Sequence, residues 1–259
     1  NHKVVKAGSW YTFTNFFTMG ISFLTLPIFT RLLSTADYGI VSVFSSWVSI
    51  FSVIISLDLA WSVQRGKFDF KENYNKYISS VLFLSLLLFF AFLTIFILFS
   101  DFFSNITNLS KALFYLMILE AYFSFIHSFS LAKFRVEYQY KMVSIITIIS
   151  SIIGVILSIY LIKYFFIKEP YLGKILGNFL PLFIIGVFYI FYFLVKGKEL
   201  INFKYWKYAL TLSVPFILHN IAGVINAQFD RIMIDQFLGS SPTGIYSFAY
   251  NLGTIVNVL

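Results

Sequence analysis

The sequence predicts an all-α protein, a polytopic bundle of transmembrane helices. Three observations carry that reading. Apolar stretches recur six or seven times along the 259 residues. At about twenty residues each and about 1.5 Å rise per residue, such stretches cross the hydrocarbon core of a bilayer. The segments between them are short and basic. Charged residues make up only 12% of the chain, about half the share of a soluble domain, and mean hydropathy reaches +0.85. This composition excludes a soluble catalyst and directs the search to transport, lipid handling or chemistry within the membrane.

The spans are read in order as Trp10–Leu33, Tyr38–Gln64, Tyr77–Phe99, Ala112–Ala132, Met142–Ile162, Ile175–Val195 and Tyr208–Phe237, with an eighth beginning near Gly244. Tyr77–Phe99, Met142–Ile162 and Ile175–Val195 contain no Asp, Glu, Lys or Arg. The first span is too long and too interrupted by polar residues for a signal peptide, and no small-residue cleavage site follows it. The chain opens at Asn1 without Met and stops at Leu259 inside an apolar stretch, so it reads as a piece of a longer protein.

The formal charge of +8 does not point to nucleic acid, because the basic residues lie between the apolar spans, where they set membrane orientation. Thirteen Lys and Arg fall on the N-terminal side: Lys3, Lys6, Arg65, Lys67, Lys71, Lys76, Lys133, Arg135, Lys141, Lys196, Lys198, Lys204 and Lys207. Five fall opposite: Arg31, Lys111, Lys163, Lys168 and Lys174. That imbalance places the N-terminus in the cytoplasm. With no cysteine, disulfides, thiolate zinc sites and thiol catalysis are out of reach.

Two segments resemble each other. Pro27-Ile-Phe-Thr-Arg31 through Asp37-Tyr-Gly39-Ile-Val-Ser closes span one and opens span two. Asp230-Arg231-Ile-Met-Ile through Thr243-Gly244-Ile-Tyr-Ser closes span seven and opens span eight. Aligning Gly39 with Gly244 gives an offset of 205, and Gly-Ile-x-Ser recurs in both copies. Six spans separate them, so both run the same way across the membrane. Parallel six-helix halves related by an axis along the membrane normal are a known transporter plan.

These same residues carry a family resemblance. Leu26-Pro27-Ile-Phe-Thr-Arg31-Leu-Leu-Ser34 with Asp37-Tyr-Gly39-Ile is similar to the N-terminal signature of polysaccharide-biosynthesis flippases, the Wzx-like proteins. They belong to the multidrug/oligosaccharidyl-lipid/polysaccharide exporter superfamily. Asp230-Arg231-Ile-Met-Ile with Leu238-Gly239 and Gly244-Ile-Tyr-Ser resembles that family's span-seven signature. The resemblance runs through the whole chain in span order and spacing. It implies a MATE-like two-lobe transporter with a six-helix lobe at 1–204 and the start of a second lobe at 205–259. The implied activity is transfer of an undecaprenyl-diphosphate-linked oligosaccharide from the cytoplasmic to the outer leaflet of the cell (inner) membrane, for surface polysaccharide of the O-antigen or capsule type. The implied partners are that cargo, the bilayer, and a polysaccharide polymerase with its chain-length machinery. No nucleic acid, cofactor or metal is expected.

Ionisable groups within spans are costly and need a lumen, a partner or an interface. In span four, Glu120, Ser124, His127, Ser128 and Arg135 share one helical face. They read either as a hydrated cavity wall, with Glu120 and His127 meeting protons or sugars, or as a buried pair between helices. In span seven, His219, Gly223, Asn226 and Asp230 form a similar stripe below Pro215, which can kink the helix. Their donors and acceptors suit hydroxyl-rich sugars, or else interhelical hydrogen bonds with Gly223 as a close-approach point. Arg231 is a substrate contact or the i,i+4 partner of Asp235. In span two, Asp58, Ser62 and Arg65 are expected on one face, with Ser42, Ser45, Ser49, Ser52 and Ser56 opposite. Arg65 either grips a diphosphate in bidentate fashion or snorkels to the interface. Arg31 contacts an anionic substrate or caps the end of its helix.

The candidate substrate-binding residues are therefore Arg31, Arg65, His127, Asn226, Asp230 and Arg231. Asp58, Glu120 and Asp230 are the candidate coupling carboxylates, since only groups that change protonation or bind an ion can couple transport to a gradient. No phosphate-binding loop, zinc-protease motif or nucleophile elbow is present, and no catalytic residue is expected. Two rivals remain: an ion-coupled multidrug exporter, whose cavity would be acidic and aromatic, and a membrane-embedded polysaccharide polymerase or ligase, which would carry Arg or His on a large outer loop.

Overall fold

The computed structural model describes residues 2–256. They fold almost wholly into helices: α1 (His2–Leu32), α2 (Thr35–Ser56), α3 (Ala60–Phe70), α4 (Tyr74–Leu98), α5 (Ser100–Thr107), α6 (Lys111–Val136), α7 (Tyr140–Tyr164), α8 (Pro170–Gly197), α9 (Phe203–Leu238) and α10 (Ser240–Val256). A 3-10 turn at Lys71–Asn73 links α3 to α4. Among the described residues there is no strand. Seven segments are long and apolar enough to cross a membrane: Val5–Leu32, Thr35–Ser56, Ala60–Leu98, Lys111–Val136, Tyr140–Tyr164, Pro170–Gly197 and Phe203–Leu238. The polytopic helical bundle expected from hydropathy is what forms. The physical reason is that a helix satisfies every backbone polar group within its own segment, which hydrocarbon demands.

Local signals set the ends. Ser34 and Asp37 form a reciprocal cap at the start of α2. The Ser34 amide donates to the Asp37 carboxylate at 2.9 Å and the Asp37 amide donates to Ser34 Oγ at 3.1 Å, the capping-box arrangement. Ser110 caps α6 by accepting from the Leu113 amide. The Asn202 side chain accepts from the amides of Lys204 and Tyr205 at the start of α9. A single residue, Gly239 with φ of +89°, turns α9 into α10.

Span two differs from its expected extent. The helix stops at Ser56 and resumes at Ala60, because Leu57 and Asp58 adopt left-handed backbone, with φ of 46° and 53°. Ser56 Oγ accepts from the Asp58 amide at 3.1 Å, and the Asp58 carboxylate accepts from Asn220 on α9. Asp58 therefore does not share a helical face with Ser62 and Arg65. Ser62 is buried and donates to the Leu59 carbonyl, while Arg65 is exposed and lies 3.8 Å from Asp69. The segment after span three also holds the short helix α5, and α10 begins at Ser240, one turn before Gly244.

Asp58 stands in the break between the candidate spans Thr35–Ser56 and Ala60–Leu98. Burial pushes its carboxyl above the ordinary carboxylate range, against the opposing pull of hydrogen bonds from Asn220 and Trp61. A carboxyl whose folded value is raised contributes most at low pH, and that contribution is lost as pH rises from its unfolded value through its folded one. Asp58→Asn is therefore expected to be more thermostable than the parent in detergent near neutrality, with the gap narrowing as pH falls toward 4. A gap that stays constant or widens on acidification would refute this assignment.

The chain divides into two compact units. One comprises the described parts of Asn1–Ser46, Tyr138–Pro181 and Gln228–Leu259. Here α1 packs along α7, where Thr14 Oγ1 donates to Ser144 Oγ at 2.6 Å, and Phe29, Leu33 and Ile162 form a small apolar core. Helix α8 starts close against α7. A Cβ on Gly177 would lie 2.4 Å from Ser158 Cα, and one on Gly173 would lie 2.8 Å from the Ile162 amide. This glycine pair, four residues apart, permits the intimate crossing that membrane helices use in place of a hydrophobic drive.

The start of α2 meets the start of α10 in the same unit, and the pairing is reciprocal. A Cβ on Gly39 would stand 1.8 Å from the Ser240 carbonyl oxygen, and one on Gly244 would stand 1.9 Å from the Thr35 carbonyl oxygen. Ser42 Oγ donates to Ser247 Oγ at 2.7 Å. Gly39 and Gly244, Thr35 and Ser240, and Ser42 and Ser247 are each 205 positions apart, the offset of the sequence repeat. The two copies of the repeat thus meet through corresponding residues.

The other unit comprises Trp47–Glu137 and Leu182–Ala227. Its interior is aromatic: Phe51 packs edge-on to Phe96 and Phe114, Phe103 stacks on Phe114, and Phe89 stacks on Tyr122 with centroids 4.3 Å apart. Such pairs contribute about 0.5–1.5 kcal/mol each beyond burial. Tyr74 and Tyr77 pin α4 to α3 by donating to the carbonyls of Val63 and Ser62.

Candidate functional site

The first unit encloses a cavity of about 620 Å³. Its wall mixes polar and apolar side chains, and five of the six helices that line it are long and apolar enough to cross a membrane. Helix α1 supplies Ser22 and Thr25, α2 supplies Ser42 and Ser45, and α7 supplies Ser150 and Ser151. Helix α8 adds Lys174 and Asn178, α9 adds Gln228 and Arg231, and α10 adds Asn251 and Thr254. Phe29, Tyr38 and Leu26 supply apolar surface. Among the described residues, none that lines the cavity is acidic.

Two cations belong to the wall. Arg231 is 6% exposed. Its Nη1 donates to Gln228 Oε1 at 3.0 Å, and its guanidinium lies 4.3 Å from the centre of the Tyr250 ring. Lys174 Nζ lies 3.4 Å from Asn178 Oδ1 and 3.7 Å from the centre of the Phe29 ring, within cation–π range. Cations, amides and hydroxyls without a carboxylate make a wall that receives anionic, hydroxyl-rich ligands.

Of the residues singled out from the sequence, Arg231 lines this cavity. Asp230, its neighbour, accepts a hydrogen bond from Tyr246 on α10, and Asp235 accepts from Ser240 Oγ at 2.7 Å. Arg31 is exposed in the last turn of α1. In the second unit, Arg65 is exposed beside Asp69, and His219, Gly223 and Asn226 are exposed along α9. Among the described residues, nothing lies within 4 Å of where a Cβ on Gly223 would stand. Helix α6 runs unbroken, and its stripe keeps Glu120, Ser124 and His127 half-buried. Glu120 Oε2 and His127 Nδ1 are buried without a hydrogen-bond partner.

Lys174, Asn178, Gln228 and Asn251 escaped sequence reasoning. Lys174 reads as a loop cation if α8 is taken to begin at Ile175, yet the helix begins at Pro170. Proline at the first helical position is the signal that locates this start. From there Lys174 and Asn178, four apart, fall on one face.

Helices and cavity together define a multi-pass membrane protein with a polar chamber. The chain belongs to the polysaccharide biosynthesis protein family, which matches residues 4–259. It is 22% identical over 270 residues to Lsg locus protein 1 of Haemophilus influenzae, an alignment covering 99% of this chain. The chain spans 63% of the length of that relative. No solved structure matches it.

Proposed function

We propose that this chain forms part of a flippase moving an undecaprenyl-diphosphate-linked oligosaccharide from the cytoplasmic to the outer leaflet, for surface polysaccharide synthesis. The observation that carries the proposal is the acid-free, cationic and hydroxyl-rich cavity among membrane-spanning helices. A chamber for cationic drugs needs carboxylates, and this one has none in its wall. On this reading residues 1–204 form one six-span lobe and 205–259 open the second, a division that the 205-residue repeat supports. The protein is a transporter without catalytic residues, held in the cell membrane with its N-terminus in the cytoplasm. A polymerase and its chain-length machinery take up the product.

Transport follows alternating access, in which rigid bundles rock about a fixed site. The head group occupies the polar chamber while the lipid tail stays in the bilayer. Glu120, Asp58 and Asp230 are the groups available for coupling, and Arg31, Arg65, His127 and Asn226 are further contacts along the translocation path.

The test uses the full-length protein in proteoliposomes loaded on one leaflet with a fluorescent undecaprenyl-diphosphate oligosaccharide. Appearance of the sugar on the opposite leaflet is followed by lectin binding. Protein-dependent transfer is expected. Efflux of cationic dyes without sugar transfer would replace the flippase with the multidrug exporter.

A further inference from the structure

We propose that Lys174 is an anion-binding residue of the cavity and holds an oxyanion of the cargo, a phosphate of the lipid diphosphate or the carboxylate of an acidic sugar. The proposal rests on the flippase reading and names the group that grips the cargo.

Lys174 lies within the apolar span Pro170–Gly197 and forms no ion pair among the described residues, where Arg65–Asp69, Lys111–Asp101 and Lys133–Glu137 do. Its neighbours are an amide oxygen and an aromatic face, both neutral. An ammonium within an apolar helical segment pairs with an anion or faces a water-filled cavity, and Lys174 lines the cavity. Its contacts occupy the ring side and one donor position, which leaves ammonium protons free to reach an oxyanion.

The lysine is also held in place. Gly173 and Gly177 flank it and seat this turn of α8 directly on the α7 backbone, so its stem departs from a fixed point. Ser150 and Ser151 of α7 and Arg231 of α9 share the same wall. A point charge and a guanidinium on one wall, with the Ser151 hydroxyl beside them, are partners that a phosphate or carboxylate accepts from.

The experiment measures equilibrium binding to the full-length protein in nanodiscs. Two probes are compared: undecaprenyl diphosphate carrying a neutral disaccharide, and the same lipid carrying a uronic acid disaccharide. Lys174→Gln is expected to weaken binding by about tenfold or more, the worth of one charge-assisted hydrogen bond, while Lys174→Arg retains it. Equal loss for both probes identifies the diphosphate as the anion, and loss confined to the uronic acid probe identifies the sugar carboxylate. Unchanged affinity in Lys174→Gln, with the parent binding both probes, overturns the proposal and leaves Lys174 a packing residue on Phe29. A Lys174→Arg protein that is monodisperse but binds as poorly as Lys174→Gln also overturns it, because the charge would then be irrelevant. A parent protein that binds neither probe overturns the flippase reading itself.

Discussion

Replacing Gly39 with Ala is expected to destabilise the protein by about 3 kcal/mol, the upper range for overpacking a well-fitted interior. Gly39→Val is expected to abolish recovery of monodisperse protein from membranes. The added Cβ would enter the carbonyl group of Ser240, 1.8 Å from the oxygen and 2.7 Å from the carbon. No rotamer relieves a clash with backbone, so α2 and α10 must separate. Gly244→Ala meets the Thr35 carbonyl in the same way and is expected to cost a similar amount. The two changes share one relaxation, because helices pushed apart by the first Cβ already make room for the second. The double variant is therefore expected to lose markedly less than the sum of the singles, as residues sharing a backbone shift do. Thermal unfolding in detergent of the parent, both singles and the double tests this. Strict additivity would show that the two glycines do not face each other across one seam.

The second large effect concerns Lys133, whose side chain is 1% exposed. Its Nζ lies 2.8 Å from Glu137 Oε1 and within 6 Å of the ring centres of Tyr74, Phe134 and Phe193. Glu137→Ala strands an ammonium among aromatic rings, and losing one partner of a buried pair costs about 3–5 kcal/mol. Lys133→Met removes the charge and keeps the volume, so it is expected to be near neutral, since well-packed apolar replacements of buried pairs often are. The order of thermal stability is thus expected to be Lys133→Met well above Glu137→Ala. Equal losses in the two variants would mean that the carboxylate acts through other contacts and not by balancing the lysine.

Some of the site was within reach of the sequence and some was not, for identifiable reasons. The apolar runs locate membrane spans because hydrocarbon leaves the backbone no partner but itself. The 205-residue offset, visible as Gly-Ile-x-Ser, marks Gly39 and Gly244, and the structure brings those residues together. Arg231 stands out as an arginine inside a span, and it does line the cavity. Lys174 is hidden by a boundary error of one turn, since an apolar window starts late when a helix opens with Pro170, Tyr171 and Lys174. The interruption at Leu57–Asp58 is hidden for another reason. A leucine in left-handed backbone leaves no mark on hydropathy or periodicity, and the Asn220 hydrogen bond at this break comes from a residue 162 positions away.

By itself, the amino-acid order determined the helical class, the number of candidate spans, the repeat offset and the polar stripes, because each depends on neighbours within a few turns or on similarity between segments. Only the tertiary structure decided which stripes meet. The cavity draws residues from six helices spread between Met19 and Thr254, while Asp230 and Asp235 bond to Tyr246 and Ser240. Side-chain direction at a helix crossing is set by how closely two backbones approach. Here that distance is governed by Gly39, Gly173, Gly177 and Gly244 together with whatever lies opposite each of them.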